Sequence, residues 1–505
     1  MRKVAADIPG PPGLPLIGNL LDVVSGGDDR IYDNICRLMD RWGPTVGIWL
    51  GPELVVSVAD PRDVEYVSTS NELIDKSPFY GVLEPLLGSG LSCLGGQEVR
   101  RHRKIVMPSL HLDILHDFLD TFQSESLRFA ARLEQHADDG QDFDVAPLCV
   151  EYSLAAALQT IMSSELEDGD DAERLAFGGV LQSAMDLFMY RVWRPWFLHD
   201  ALFRLSSRRP EYVRTMTALN GFTEGIITKK RRKLAERRRH QPHGEEQSLT
   251  AAPTTTTRRR RRAFLDNILD NEEGAALTDL ELRDEVKTLL CTGSETSAST
   301  LSFVIAVLAL RQDVQAKVVQ ELDDVFGGDA SRPVTLEELP HLQYLERVVR
   351  ETLRLFPVLP FFTRSCPRDV QLPSGYTAPR GAHLTFFLPA LHTCPRTWPD
   401  PRRFDPDRFL PENSRGRHPF SYLPFSAGPR NCVGQRYAMM LLKVEVATLL
   451  RRFHILPAAD GPAARDVADL PIKVTLVIAV KGGVRVRLRR RTAPCAAADT
   501  VGPSL

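Results

Sequence analysis

Between Phe425 and Gly434 the sequence reads Phe-Ser-Ala-Gly-Pro-Arg-Asn-Cys-Val-Gly, and this stretch restricts the fold more than any other because it fixes a cysteine at the head of a helix. A Gly/Pro-bearing turn precedes Cys432. Behind it, apolar residues at helical spacing (Tyr437, Met440, Leu441, Val444, Leu449) predict a helix over Gln435 to Phe453. Unpaired N–H groups and the macrodipole at a helix N-terminus favour negative charge. The expectation is therefore a lowered thiol pKa and a thiolate, the form that binds soft metal centres. Gly428 can take a backbone shape barred to other residues, and Gly434 lets a flat ligand approach the helix start. Arg430 can meet a carboxylate, and Phe425 would keep water off the sulfur. The alternative is an inert structural cysteine in a buried turn.

Phe425, Gly428, Arg430, Cys432 and Gly434 fill every fixed position of Phe-x-x-Gly-x-Arg-x-Cys-x-Gly. The arrangement resembles the cysteine-ligand loop of the cytochrome P-450 superfamily. That resemblance implies haem b (iron protoporphyrin IX) with Cys432 as axial thiolate, Arg430 beside a haem propionate, and Phe425 and Gly434 against the cofactor. A thiolate ligand donates electron density that favours O–O cleavage. The fold implied is mainly α with a small β lobe, the cytochrome P-450 fold; spacing alone does not give it.

Thr278-Asp279-Leu280-Glu281 is a capping box, and it opens a helix running to about Gln312. The middle of that helix is polar: Thr292-Gly293-Ser294-Glu295-Thr296-Ser297. Gly293 weakens the helix, while Ser and Thr hydroxyls bonding back to the preceding turn are expected to open a local bulge. The segment resembles the family's oxygen-activation motif, [Ala/Gly]-Gly-x-[Asp/Glu]-Thr-[Thr/Ser]. This makes Thr296 the hydrogen-bond donor of the oxygen site and Glu295 the acid of its proton path. Thr292 departs from the pattern; many ω-hydroxylases carry there a glutamate that can be ester-linked to haem, and here no such link can form.

Leu345 to Phe356 reads as a helix carrying Glu351 and Arg354 three residues apart. In the family this Glu-x-x-Arg pair is buried and a second arginine completes it, a role that Pro401-Arg402-Arg403-Phe404 assigns to Arg403. Arg364 matches a propionate-binding arginine. Gly95 to His111 resembles the helix with a Trp-x-x-x-Arg pair on the propionates, where Arg103 matches the arginine and Val99 replaces the tryptophan.

Other segments are read by position. Ile31 to Trp42 is a helix candidate; Thr45 to Leu50 and Leu54 to Ala59 alternate as paired strands around Gly51-Pro52, and Val474 to Val480 with Val484 to Leu488 as a hairpin around Gly482-Gly483. Ser77 to Leu94 corresponds to a segment that covers the substrate pocket in the family. Arg191 to Asp200, rich in aromatic and basic groups, resembles the fatty-acid ω-hydroxylase branch; it is either a pocket roof near a membrane or an aromatic core contact. Residues 229–262 hold basic clusters around a threonine-rich run and read as a low-complexity loop. The organisation expected is a proline-rich hinge over residues 1–18 without a membrane helix, a haem domain over 19–490, and a tail over 491–505.

A formal net charge of −2 gives no support to nucleic-acid binding. Eight scattered cysteines without C-x-x-C pairs fit free thiols in a reducing compartment. No apolar run reaches the roughly 20 residues needed to span a bilayer. The family's hinge normally follows a membrane helix, so either the anchor is lost here or docking is peripheral; the location implied is the cytosolic face of the endoplasmic reticulum membrane. The implied activity is monooxygenation of an apolar small molecule, a fatty acid or other lipid first and a xenobiotic next. No flavin or nicotinamide fingerprint appears, so an NADPH-dependent flavoprotein reductase would supply electrons. Basic residues near the thiolate loop (Arg415, Arg417, Arg430, Arg436) suggest where it docks. Two alternatives stay open: an electron-independent isomerase or dehydratase of the same fold, and an inactive haem-binding relative.

Overall fold

The capping box at Thr278 and Glu281 is formed in both directions, and it starts a helix over Asp279–Leu310 on which the other layers pack. At 1.5 Å per residue this central helix is roughly 48 Å long. The computed structural model describes residues 1–27, 30–162, 171–192, 194–240, 264–270, 274, 276–459 and 466–491. The C-terminal half of the central helix (Leu301, Phe303, Val304, Val307, Leu308) is buried in a core shared with helices Leu112–Asp139, Ala146–Met162, Gln312–Phe326, Gln343–Leu355 and Gln435–Arg452. Its N-terminal half joins a second core with helices Asp171–Val192 and Arg209–His240. By length and composition the central helix could cross a membrane, yet 78% of its apolar window is buried inside the protein. Its last third, Leu301 to Leu310, is apolar all round, as the middle of a large core requires.

The small β lobe is a four-stranded sheet in the order Thr45–Leu50, Glu53–Val58, His383–Phe387, Phe361–Ser365. The first two strands form the expected hairpin, with Gly51 at φ +64 in its turn. Val55 pairs in parallel with His383, which ties this early hairpin to the strand leading into the cysteine loop. The proline-rich hinge packs on the lobe: Pro9 O accepts from Gly47 N at 2.8 Å, and Gly18 bridges Leu50. The mainly α fold with a small β lobe is thus the one expected, and the helix Ile31–Trp42 falls where the periodicity places it.

Three expectations are corrected. Val474 to Leu488 is not one hairpin: Ile472–Val474 pairs with Ile478–Val480, whereas Arg485–Arg490 pairs with Phe453–Pro457 and Phe143–Asp144 in another sheet. Alternation shows that a segment is a strand but does not select its partner. The basic loop does not begin at residue 229, because the helix continues to His240. Lys230 in its first cluster is buried and pairs with Asp266 at 2.6 Å, and Arg231 pairs with Asp279. The remainder of that predicted loop, 241–262, lies outside the described residues, as does the tail beyond Arg491. Finally, the polar middle of the central helix has no bulge. Thr292, Ser294, Thr296 and Thr300 each donate to the carbonyl four residues back at 2.7 Å, and the helix runs on unbroken.

Candidate active site

The cysteine loop is closed by one backbone bond, Cys432 N to Phe425 O at 2.8 Å. Gly428 holds φ +68, and a Cβ there would come within 2.1 Å of Ser68 O, so the turn admits only glycine. Gly434 is the N-cap of Gln435–Arg452, and a Cβ on it would stand 3.8 Å from Cys432 Sγ. The thiol itself departs from expectation. Cys432 is exposed, but to a cavity inside the protein and not to the outer surface, and that enclosure holds the thiol above its ordinary value. The Gly434 N–H and the Arg103 guanidinium lower it, as a helix start should, but less than burial raises it. A metal ion deprotonates such a thiol on binding.

That cavity, about 1780 Å³, lies between the loop (Phe425, Cys432, Gly434) and the polar face of the central helix (Thr292, Glu295, Thr296). Ligand pockets usually measure about 300–1,000 Å³, so there is room for a large cofactor and a substrate together. Of the three expected propionate arginines, Arg364 and Arg430 converge on it. Arg364 is 1% exposed and its hydrogen bond to protein runs to the Thr363 carbonyl at 3.1 Å. Both terminal nitrogens of Arg430 are buried without a partner among the described residues. Burial lowers both guanidiniums, Arg430 to about 10 with Arg364 as the next cause. Buried donors are normally paired, and a buried cation without an anion is costly. A porphyrin with two carboxylates fits these donors, as the thiol fits its iron.

Arg103 behaves differently. It donates to the backbone oxygen of Asn431 at 2.8 Å and to the Asn431 side chain, bracing the loop from beneath while still lining the cavity. Val99, at the departed tryptophan position, is buried against the same space. On the opposite wall, burial and, secondarily, the Asp186 charge raise the Glu295 carboxyl to about 7. A carboxyl tuned this way can give up and regain a proton near neutrality. The segment after Ser77 forms short helical turns, Pro78–Leu83 and Glu84–Leu87, that line the cavity through Phe79, Tyr80, Leu83 and Leu87. Arg191 and His199 also face the cavity, and Arg191 stacks on Phe203 while pairing with Asp200, so that segment both lines the cavity and makes an aromatic contact.

The Glu351–Arg354 pair is fully buried and bidentate, at 2.7 and 2.8 Å. Its third member is not Arg403, whose side chain is exposed and which offers only its carbonyl to Arg354 at 3.3 Å. Arg408 takes the place, with Nε 3.4 Å from Glu351. The Pro-x-Arg-Phe pattern read at Pro401 recurs at Pro406-Asp407-Arg408-Phe409, and that second copy, with an acid at the variable position, was the available signal. Of the basic residues expected to face a reductase, Arg415 and Arg436 are exposed, whereas Arg430 points inward and Arg417 is tied to the carbonyls of Arg408 and Asn413.

The family model described as cytochrome P-450 matches residues 8–470. The chain belongs to the cytochrome P-450 family. It is 32% identical to cytochrome P-450 4g15 of Drosophila melanogaster over 97% of this chain and 93% of that one. It is 34% identical to cytochrome P-450 4V2 of Rattus norvegicus over 94% and 88%, and 33% identical to the Homo sapiens protein of that name over 95% and 89%. The crystal structure of the cytochrome P-450DA heme domain superposes with a TM-score of 0.78, covering 96% of this chain and 98% of that one at 23% identity, which shows the fold. This cytochrome P-450 is a haem-thiolate monooxygenase with haem b held by a cysteine thiolate.

Proposed function

We propose that this cytochrome P-450 hydroxylates a fatty acid or another apolar small molecule, a lipid before a xenobiotic. Electrons come from NADPH through a flavoprotein reductase at the cytosolic face of the endoplasmic reticulum membrane. The observation that carries the reading is one cavity with Cys432 on one wall and Glu295 and Thr296 on the other. Haem iron, when bound, supplies the oxygen chemistry, and the thiolate push favours O–O cleavage. Cys432 would hold the iron, with Phe425 and Gly434 packed on the cofactor. Arg364 and Arg430 would neutralise its propionates, and Arg103 would fix the loop through Asn431. Glu295 gives a proton from its carboxyl oxygen and regains it near pH 7. The Thr296 hydroxyl rests on Thr292 O in the cavity wall.

Apolar side chains at the cavity rim (Val82, Leu83, Leu359, Phe361) favour an apolar substrate and exclude water from its reacting carbon. Two groups of exposed apolar residues, Leu14, Leu16 and Ile17 on the hinge and Trp196, Leu202 and Leu205 beyond Arg194, suit a membrane surface. The Glu295–Thr296 pair favours monooxygenation over the electron-independent isomerase or dehydratase. The test is to incubate the holoprotein with a flavoprotein reductase, NADPH, dioxygen and a panel of fatty acids. The expected product gains one oxygen atom, with label from ¹⁸O₂ and none from H₂¹⁸O. Conversion without NADPH, or no product across the panel, contradicts the proposal.

A further inference from the structure

Away from Cys432 the cavity continues along the central helix. Its lining runs from Thr300 and Thr296 through Cys291 and Lys287 to Leu280, roughly 30 Å of helix. Lys287 stands part-way along it, nine residues before Thr296 and so roughly 14 Å up the helix from the oxygen site. Its side chain is 3% exposed. Nζ donates to Asn220 Oδ1 at 2.9 Å on the roof helix Arg209–His240, and to Pro85 O at 3.4 Å on the covering turn Glu84–Leu87. Asn220 and Pro85 both line the cavity. One ammonium on the central helix therefore joins two other walls across the far end of the cavity.

Asp284 does not take the place of those two partners. It stands 4.0 Å from Nζ, its Oδ1 accepting from Arg283 Nε at 3.1 Å and its Oδ2 from Ser89 N at 2.9 Å. The covering segment is itself pinned to the central helix: Thr288 Oγ1 donates to Leu87 O at 2.8 Å, and a Cβ on Gly90 would come within 2.5 Å of that hydroxyl. On the roof side, two further ties, Arg283 with Glu224 and Arg231 with Asp279, end on exposed carboxylates and contribute little. The Lys287–Asn220 bond starts instead from a buried ammonium, whose partners are costly to remove.

We propose that Lys287 is a length-determining residue: the bar it forms with Asn220 and Pro85 limits how far an apolar chain can extend from the oxygen site along the central helix. A methylene pushed past the bar would strip the ammonium of its oxygen partners and put carbon in their place. The class selected is a straight-chain lipid whose chain beyond the reacting carbon spans about 14 Å or less. The inference rests on the lipid reading of the site, but it concerns binding and not oxidation.

The experiment measures, by equilibrium dialysis, the dissociation constants of the haem-loaded protein for a homologous series of straight-chain fatty acids and for the matching n-alkanols. Wild type is expected to bind both series up to one chain length and to lose affinity steeply beyond it. Lys287→Ala should bind chains just beyond that limit about tenfold more tightly than wild type does, with shorter chains unchanged. Asn220→Ala, which frees one end of the bar, should shift the profile the same way by less, and it carries the test should Lys287→Ala fail to fold. An unchanged profile in the folded variants overturns the proposal, as does a wild type without a length limit. An effect confined to the acids overturns it too, because Lys287 would then read the carboxylate and not the length. No binding by either series overturns the lipid reading and this inference together, whereas binding without oxidation overturns only the catalytic reading.

Discussion

Removing Arg354 should unfold this protein far more readily than removing either of the arginines downstream of it. Its guanidinium donates to both oxygens of Glu351, to His392 O at 3.0 Å and to Pro401 O at 2.8 Å, and it lies 5.1 Å from the Trp398 ring centroid. Arg354→Met leaves Glu351, 0% exposed, with the Asp405 N–H at 2.9 Å and the Arg408 guanidinium as its remaining partners. Stranding one member of a buried pair costs about 3–5 kcal/mol. Unfolding entropy of about 2.1 cal/mol/K per residue gives roughly 1 kcal/mol per degree for 505 residues, so the midpoint should fall by about 3–5 °C. Arg408→Met should cost somewhat less, because Arg354 still neutralises Glu351, although Pro399 O and Asp400 O lose their donor. Arg403→Ala, an exposed side chain, should change stability by less than about 0.5 kcal/mol. The assay is thermal loss of the haem absorption band in the three holoproteins. An Arg403 variant as damaged as the Arg354 one, with Arg408→Met silent, would refute the assignment of the third partner.

Glu295→Gln should lower turnover and flatten its fall above pH 7, since the wild-type acid near 7 delivers protons only while protonated; steady-state pH profiles of both proteins check this. Glu445, fully buried beside the Ser126 and Tyr152 hydroxyls, has its carboxyl raised by burial from 4.5 to about 8, those hydroxyls offsetting part of the rise. The folded state therefore binds the extra proton between those two values, so stability falls as pH rises from about 4.5 to 8. Glu445→Gln should accordingly be neutral in effect below pH 4.5 and gain about 3 kcal/mol by pH 7, measured by denaturant titration at several pH values. Charge reversal at Arg415 and Arg436 should slow reductase electron transfer at low ionic strength and lose that effect at high salt, by stopped-flow reduction; equal rates at every salt concentration would remove this face from the docking site.

What was legible in the sequence was local. The capping box at Thr278 and Glu281 and the turn before Gln435 carry their own instructions, and both formed as read. What was not legible depends on residues distant in the chain. The Cys432 thiol is raised by burial that no local pattern reports. Arg408 was hidden by an earlier copy of the same four-residue spacing, and only packing against Glu351 separates the copies. Lys230, read as part of a low-complexity basic loop, is buried because Asp266 lies opposite it on another helix. The strand Arg485–Arg490 alternates correctly, but its partners at Phe143 and Phe453 belong to other parts of the chain.

The central claim is that Cys432, in its thiolate form, ligates haem iron in the cavity it shares with Glu295 and Thr296. The most direct measurement is the carbon monoxide difference spectrum of the reduced protein, wild type beside Cys432→Ser. The account predicts the red-shifted Soret band peculiar to thiolate-ligated ferrous haem in the wild type and its loss in the variant. An unshifted band in the wild type, or a shifted band that survives replacement of Cys432, would contradict it.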